Sequence, residues 1–486
     1  MKTKSAPPVY RLDAERVGKE AACSLGDQRL EKRMQSIVST MCKRPAASFP
    51  DLFKEDSELE AVYRFLRNGR LSLGKTLRGH IAHTVGRAQS LKTVVVAHDT
   101  TEFDFAIGQR RRGGLQRFSQ KRQGFLAHVS LCMSAEGARA PLGCLGLQPF
   151  VRLNQLENAA DQAAWEQQMG SGFTEAGRWL KGIRHSERVL GKEVSAIHVC
   201  DREGDAYPVL SKLVQAHSRF VIRLAQNRTV TEPETGHLLD FIAEQPVLGP
   251  SRQVQLSERL QASVLPADRK THPARRSRSA ELVLRCAQVT LKRPAKRNSD
   301  GQSPQSVTLN VVDVSEVNVP SGEPPVRWTL ATTEPVDSEA ACWRIVDLYR
   351  SRWLVEEFFK AIKTGCGFRF RQLDSHKTLL VALGLCVPVA WTLLLMRYLE
   401  REAPDSPAEA VLPPPLLGFL KRIWPRGPAP EQPTVREALR AIAALGGHIR
   451  HNGPPGWLVL HRGYEQLLLM YQGFCAAFPE GRCDQS

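Results

Sequence analysis

The stretch that decides the fold is TVVVAHDTTEFDF, Thr93 to Phe105. Its β-branched apolar run leads straight to Asp99 and reads as a buried strand ending at that aspartate. FLAHVSLCMS (Phe125 to Ser134) and APLGCLGLQPF (Ala140 to Phe150) read as two further strands. VSAIHVCDREGD (Val194 to Asp205) is a second apolar run that stops at an aspartate, Asp201. AYPVLSKLVQAH (Ala206 to His217) then reads as a helix, and RFVIRLAQ (Arg219 to Gln226) and VRWTLATTEPV (Val326 to Val336) as strands. Strands interleaved with helices make an α/β core. Between the first two strands lies QRRRGGLQRFSQKR (Gln109 to Arg122), with six basic residues and no acid, expected as a mobile loop.

The flanking segments differ in character. Residues 15–90 read as short helices, with Asp27 near a helix start. From Ala61 to His98 there are seven Lys or Arg and no Asp or Glu, either a solvated surface or a phosphate-facing one. Residues 227–325 are rich in Pro, Ser, Lys and Arg, with alternating runs at Glu281 to Lys292 and Ser306 to Val317. They read as a β-rich insertion, with the Ser/Arg run Ala274 to Ser279 as a disordered loop. Pro404 to Pro433 reads as a linker carrying one short helix, Leu416 to Trp424, before C-terminal helices at Val435 to Leu445 and Tyr464 to Phe474. The expected division is 1–90 helical, 91–226 core, 227–325 insertion, 326–400 core again, and 401–486 linker and C-terminal helices.

The 486 residues carry 67 basic and 50 acidic side chains, a difference of +17. That excess points to a polyanionic partner, nucleic acid or an anionic membrane face. The 11 cysteines show no Cys-x-x-Cys spacing and read as reduced cytosolic thiols. Met1 to Tyr10 lacks the apolar core of a secretory signal. Leu379 to Met396 is apolar and just long enough to span a bilayer; a buried core helix is the favoured reading, and no membrane partner is expected.

The most informative segment is the long helix expected from Ser338 to Thr364. In YRSRWLVEEFFKAIK, Tyr349, Arg352, Glu356 and Lys363 fall at roughly 0°, −60°, −20° and −40° around an ideal helix, one polar stripe. Lys360 borders it at about +20° and Trp353 at about +40°, where core and outward placements both remain open. Leu354, Phe358, Ala361 and Ile362 lie opposite and should face the core. An amphipathic helix with a wet face has the same pattern. The mixture of one carboxylate, several cations and a phenol, however, suits a metal ligand standing beside phosphate clamps. Two strand-end aspartates and this glutamate would form a three-carboxylate site if the strands are neighbours. Hard oxygen ligands of this kind suit Mg²⁺.

These residues carry a resemblance. HDTT around Asp99, VCDREGDAY around Asp201, and the spacing Tyr349-(2)-Arg352-(3)-Glu356-(6)-Lys363 resemble the insertion-sequence-four family of bacterial DNA transposases, Tn-five type, whose Y-R-E-K signature this quartet matches. At ~5 % usage per residue type the quartet arises by chance on the order of once per 300 chains of this length. LGDQRLEKRM and AVYRFLRN resemble the family's N-terminal DNA-binding region, and AIAALGGHI with a later GW its dimerisation region.

The resemblance implies a ribonuclease-H-like mixed sheet flanked by helices, with a β-rich insertion and helical N- and C-terminal domains. It implies Asp99, Asp201 and Glu356 as catalytic residues holding two Mg²⁺ ions, with Mn²⁺ able to substitute. Tyr349, Arg352 and Lys363 would grip a DNA phosphate, Trp328 would stack on a flipped base, and Arg223 and Lys360 would approach DNA. The implied activity is cut-and-paste transposition by a homodimer on terminal inverted repeats and target DNA, in the bacterial cytoplasm and at the nucleoid. The rival expectation is a catalytically silent DNA-binding relative. His98 stands where the family is variable or acidic, and a role supporting the metal ligands from behind is open to it. His80 with His83 and His448 with His451 have i, i+3 spacing but no further ligands, and no zinc site is expected there.

Overall fold

The computed structural model of the chain describes residues 14–108, 112–170, 172–231, 236–256, 275–295, 303–449 and 455–478. The chain begins with five helices, α1 (Ala14–Glu20), α2 (Gln28–Lys43), α3 (Phe49–Leu52), α4 (Asp56–Leu66) and α5 (Leu73–Gln89). Asp27 caps α2, accepting the Arg29 N–H at 2.9 Å, as its place in the sequence suggested. Next come β1 (Thr93–Ala106), β2 (Gln116–Ser119), β3 (Arg122–Ser134) and β4 (Pro141–Phe150), then α6 (Ala159–Met169) and α7 (Gly177–Leu190). β5 (Ser195–Cys200), α8 (Tyr207–Gln215) and β6 (Arg219–Arg223) follow. After α9 (Leu238–Ala243) come β7 (Arg252–Leu256), β8 (Arg278–Lys292), β9 (Ser306–Val317) and β10 (Arg327–Thr332). The remaining helices are α10 (Glu339–Ser351), α11 (Trp353–Lys360), α12 (His376–Glu402), α13 (Pro414–Arg422), α14 (Val435–Leu445) and α15 (Trp457–Ala477).

Ten strands form one mixed sheet. β1 lies at its centre, antiparallel to β3 and parallel to β5. β3 also pairs with β4 and β2, and β5 runs parallel to β6. The order β4-β3-β1-β5-β6, antiparallel on one side of β1 and parallel on the other, is the ribonuclease-H-like arrangement. The parallel pairs require crossovers, which α6 and α7 provide before β5 and α8 before β6. The strands of the 227–325 region extend this same sheet: β10 pairs with β6, then β9, β8 and β7 continue outward.

Several local expectations are corrected. β1 does not stop at Asp99. It runs on to Ala106, because β3 keeps satisfying its backbone as far as the Ala106–Arg122 pair. It is β5 that ends there, at Cys200 opposite His98. Gln109–Arg111 of the basic segment lie outside the described residues, but Gln116–Ser119 form β2, which pairs with β3. Ala274 is likewise outside, whereas Arg278 and Ser279 open β8, with the Arg278 guanidinium paired to Glu316. The Pro404 to Pro433 segment is packed rather than free: Ala408, Val411, Leu412 and Leu420 are fully buried.

The apolar helix α12 is a core element. Of its most hydrophobic 18-residue window, 94 % is buried inside the protein. The Trp391 indole donates to the Pro141 carbonyl at 3.0 Å, tying α12 to β4.

Candidate active site

The parallel register of β1 and β5 positions the first two carboxylates. His98 pairs with Cys200, so the next residue on each chain, Asp99 and Asp201, emerges side by side. Asp99 Oδ1 accepts the Thr100 N–H at 2.8 Å. Asp201 Oδ1 accepts the Glu203 N–H at 2.9 Å and caps the short turn Arg202–Gly204.

The third carboxylate arrives from the helical segment after β10. This segment is not the single continuous helix expected. Ser338 caps α10, but at Arg352 the bonding tightens to i−3, with the Arg352 N–H on the Tyr349 carbonyl at 3.1 Å. Ala361–Gly365 then widen into a π turn. Irregularities of this kind are frequent at functional sites. Here the junction aims the Arg352 side chain at β1. Its Nη1 donates to Asp99 Oδ2 at 2.5 Å and its Nη2 to Glu356 Oε1 at 2.9 Å. One guanidinium thus bridges carboxylates from the sheet and the helix.

The electrostatics follow from that count of charges. Burial pushes the Asp99 carboxyl up first; Arg352 pulls it down, Asp201 and Glu356 push it up again, and the result is about 7. Glu356 is also raised, by burial, against the pull of Arg352 and Lys360. Burial opposes the Arg352 charge, yet Asp99, Tyr349, Glu356 and Asp201 together hold it above the ordinary arginine range. The site has more negative charge than its resident cation compensates.

The donor chemistry therefore fits a divalent ion of the magnesium class: three hard carboxylates with excess negative charge. Among the described residues, however, no group of three or more His, Cys, Asp or Glu side chains is gathered closely enough to hold a metal. The Arg352 guanidinium stands between two of the carboxylates.

The other expected residues divide into two groups. Lys363 reaches the site, its Nζ donating to Thr101 Oγ1 at 2.7 Å, two residues beyond Asp99 on the same face of β1. Tyr349 is buried and packs against Trp328, ring centroids 6.0 Å apart. Arg223 Nη2 donates to the Arg327 carbonyl, beside Trp328, at 3.1 Å. Lys360 turns to Glu357, 2.8 Å away, and lies 5.2 Å over the Trp353 ring. Trp353 is 51 % exposed, which settles its placement outward. Leu354, Phe358, Ala361 and Ile362 are buried as expected.

His98 does not share the face of Asp99. It is fully buried behind the sheet, its Nε2 2.9 Å from His198 Nδ1 and its Nδ1 3.1 Å from Ser130 Oγ. His80 is structural: its Nε2 accepts the Cys144 N–H at 2.9 Å. Of the other histidine pair, His451 lies outside the described residues. Sequence reasoning missed Arg178 of α7. This buried guanidinium donates to Thr100 Oγ1 at 3.0 Å and pairs with Glu203. A lone arginine on a helix carries no pattern that marks it. Glu203, within the quoted VCDREGDAY, had at least a motif around it.

Two family models match this chain. Residues 19–71 match transposase DNA-binding, the helical region from α1 to just short of α5. Residues 174–387 match the transposase DDE domain, a span holding Arg178, Asp201, Glu203, Arg352 and Glu356. Asp99 precedes that span and enters the site through the β1–β5 register. The chain thus carries a transposase DNA-binding region ahead of a transposase DDE region on a ribonuclease-H-like sheet, a combination that supports a DDE transposase.

Proposed function

We propose that the chain is a cut-and-paste transposase of the insertion-sequence-four, Tn-five type. In this reading it binds the terminal inverted repeats of its own element as a homodimer. It cleaves at the element's ends by way of a hairpin and joins the freed 3′ ends to target DNA, in the bacterial cytoplasm. The supporting observation is the Arg352 bridge, which brings Asp99 of β1 and Glu356 of α11 to one guanidinium beside the Asp201 strand end.

Asp99, Asp201 and Glu356 would hold the divalent ions, magnesium or manganese, which when bound neutralise phosphate charge and sharpen a water or 3′-hydroxyl nucleophile. The protein's own side chains bind and orient the DNA. Arg352 and Lys363 offer fixed cations to the phosphate beside the cleaved bond. Tyr349 supplies a phenol, and Trp328 a partly buried ring face for an extruded base. Arg223 and Lys360 contact the flanking backbone. Exposed Leu469 and Met470 on α15, with Phe478 just beyond it, support a C-terminal contact between two copies.

The test is Glu356→Ala assayed on DNA carrying the element's end repeat with Mg²⁺. Strand cleavage should fall by about a thousandfold or more while end binding survives. Cleavage at the normal rate would refute the reading. A wild-type chain that binds ends cleanly but never nicks them would identify the silent relative instead.

A further inference from the structure

Behind the sheet, on the face away from Glu356, α7 sends one buried arginine toward both aspartate-bearing segments. Arg178 is 5 % exposed. Its three guanidinium nitrogens have separate partners: Nε donates to Thr100 Oγ1 at 3.0 Å, Nη1 to the Glu175 carbonyl at 2.6 Å, and Nη2 to the Glu203 carboxylate. Thr100 is the residue whose N–H holds Asp99 Oδ1, and Glu203 the residue whose N–H holds Asp201 Oδ1. The links close into a chain: Asp99, Thr100, Arg178, Glu203, Asp201. The guanidinium is itself walled in by the Phe150 and Trp179 rings, 5.4 and 5.5 Å from its carbon. Gly182, one turn along α7, leaves the space in which His128 lies; a Cβ there would sit 2.8 Å from its ring. His128 Nδ1 in turn lies 3.0 Å from Thr100 Oγ1. The planar fork is thus hydrogen-bonded at all three nitrogens, a buried spacer rather than a mobile surface cation.

We propose that Arg178 is a positioning residue that ties the Asp99 segment to the Asp201 segment and so sets the separation of the two carboxylates for divalent-ion binding. The inference rests on the metal-dependent reading above and deepens it. Partners behind a ligand commonly govern metal affinity by 10–100-fold. The sign of the effect distinguishes this role from simple electrostatics. Removing a nearby positive charge should by itself strengthen binding of a cation, whereas loss of a spacer should weaken it.

The experiment titrates Mn²⁺ into the full chain without DNA and follows free Mn²⁺ by electron paramagnetic resonance. Arg178→Gln should raise the Mn²⁺ dissociation constant about 10–100-fold with an unchanged circular dichroism spectrum. Arg178→Lys, which keeps the charge but not the fork, should recover only part of the affinity. Wild-type or tighter Mn²⁺ binding by Arg178→Gln overturns the proposal. Should that variant fail to fold, Glu203→Gln removes the outer anchor through a side chain 60 % exposed; affinity should again fall, and wild-type affinity overturns the tie. A wild-type chain whose Mn²⁺ binding is insensitive to Glu356→Ala would instead overturn the metal-dependent function, a separate and recognisable failure.

Discussion

Two buried charge clusters in this protein obey opposite rules. Where α1 meets α5, Glu20 lies between two nitrogen-bearing partners: Arg87 grips it at 3.1 and 2.7 Å, and His80 Nδ1 stands 2.9 Å away. Because His80 Nε2 accepts a backbone N–H, its proton resides on Nδ1, facing the carboxylate. Burial alone would raise the Glu20 carboxyl, but His80 and Arg87 outweigh it and carry it down to about 2. At the site, one guanidinium serves Asp99 and Glu356 within reach of the Asp201 charge, and Asp99 climbs to about 7. The first cluster is balanced and holds two helices together. The second is short of positive charge, a deficit that a bound divalent cation would offset.

The largest expected contrast is in catalysis. Asp201→Asn should lower strand cleavage by on the order of a thousandfold with DNA binding retained, because it removes a charge that only the reacting complex needs. Glu20→Gln should leave cleavage per folded molecule unchanged. Equal losses in a cleavage assay on purified, folded variants would erase the distinction between the clusters.

Stability should show the reverse. Glu20→Gln removes the buried carboxylate charge that half-buried Arg87 pairs with, leaving Arg87 only the Leu142 carbonyl, Thr84 and the Trp391 ring, and should cost about 3 kcal/mol in denaturant unfolding at pH 7. Its folded value is depressed, so the stabilisation is present above the ordinary glutamate range, near 4.5, and is lost as pH falls toward 2. The variant should therefore unfold with a flatter acid limb in that window; an unchanged limb would remove Glu20 from the accounting.

How much of this was legible in the sequence depends on range. The strand runs, the cap at Asp27 and the polar stripe from Tyr349 to Lys363 are local patterns, and each pointed to the kind of element found there, though not to its bounds. The end of β1 was misjudged because its continuation depends on β3, a partner some thirty residues away that no local run announces. The tightening at Arg352 was invisible in the sequence: every residue from Trp353 to Lys360 is compatible with an unbroken helix, and the contact Arg352 makes there is with Asp99, 253 residues away. The nearness of Glu356 to Arg352 was readable through their i, i+4 spacing. Arg178 was not, since its role consists of partners at positions 100, 175 and 203 that only folding assembles.

Divalent ions should sharpen the contrast further. Mn²⁺ at ten times its dissociation constant should stabilise the wild-type chain by about 1.4 kcal/mol. The gain should persist in Glu20→Gln and vanish in Asp99→Asn; removing the ion with a chelator should return the wild type to its starting stability. Thermal shifts of the three proteins with and without Mn²⁺ decide it, and a gain retained by Asp99→Asn would place the ion elsewhere.

The smallest effect carries the most information about sign. In the metal-free chain, ionised Asp99 is held where burial and two other carboxylates oppose it, so neutralising it should help the fold rather than harm it. A carboxyl raised to about 7 from 3.8 contributes its full stabilisation below 3.8 and loses it as pH rises through 7. Asp99→Asn, neutral throughout, should therefore match the wild type at about pH 3.5 and exceed it by about 1 kcal/mol at pH 7.5, while losing cleavage. Arg352 keeps Glu356 as its partner in the variant, so no buried cation is orphaned. A loss of stability at pH 7.5 would mean that Arg352 already balances Asp99 fully, and that the site and the α1–α5 junction obey the same rule after all.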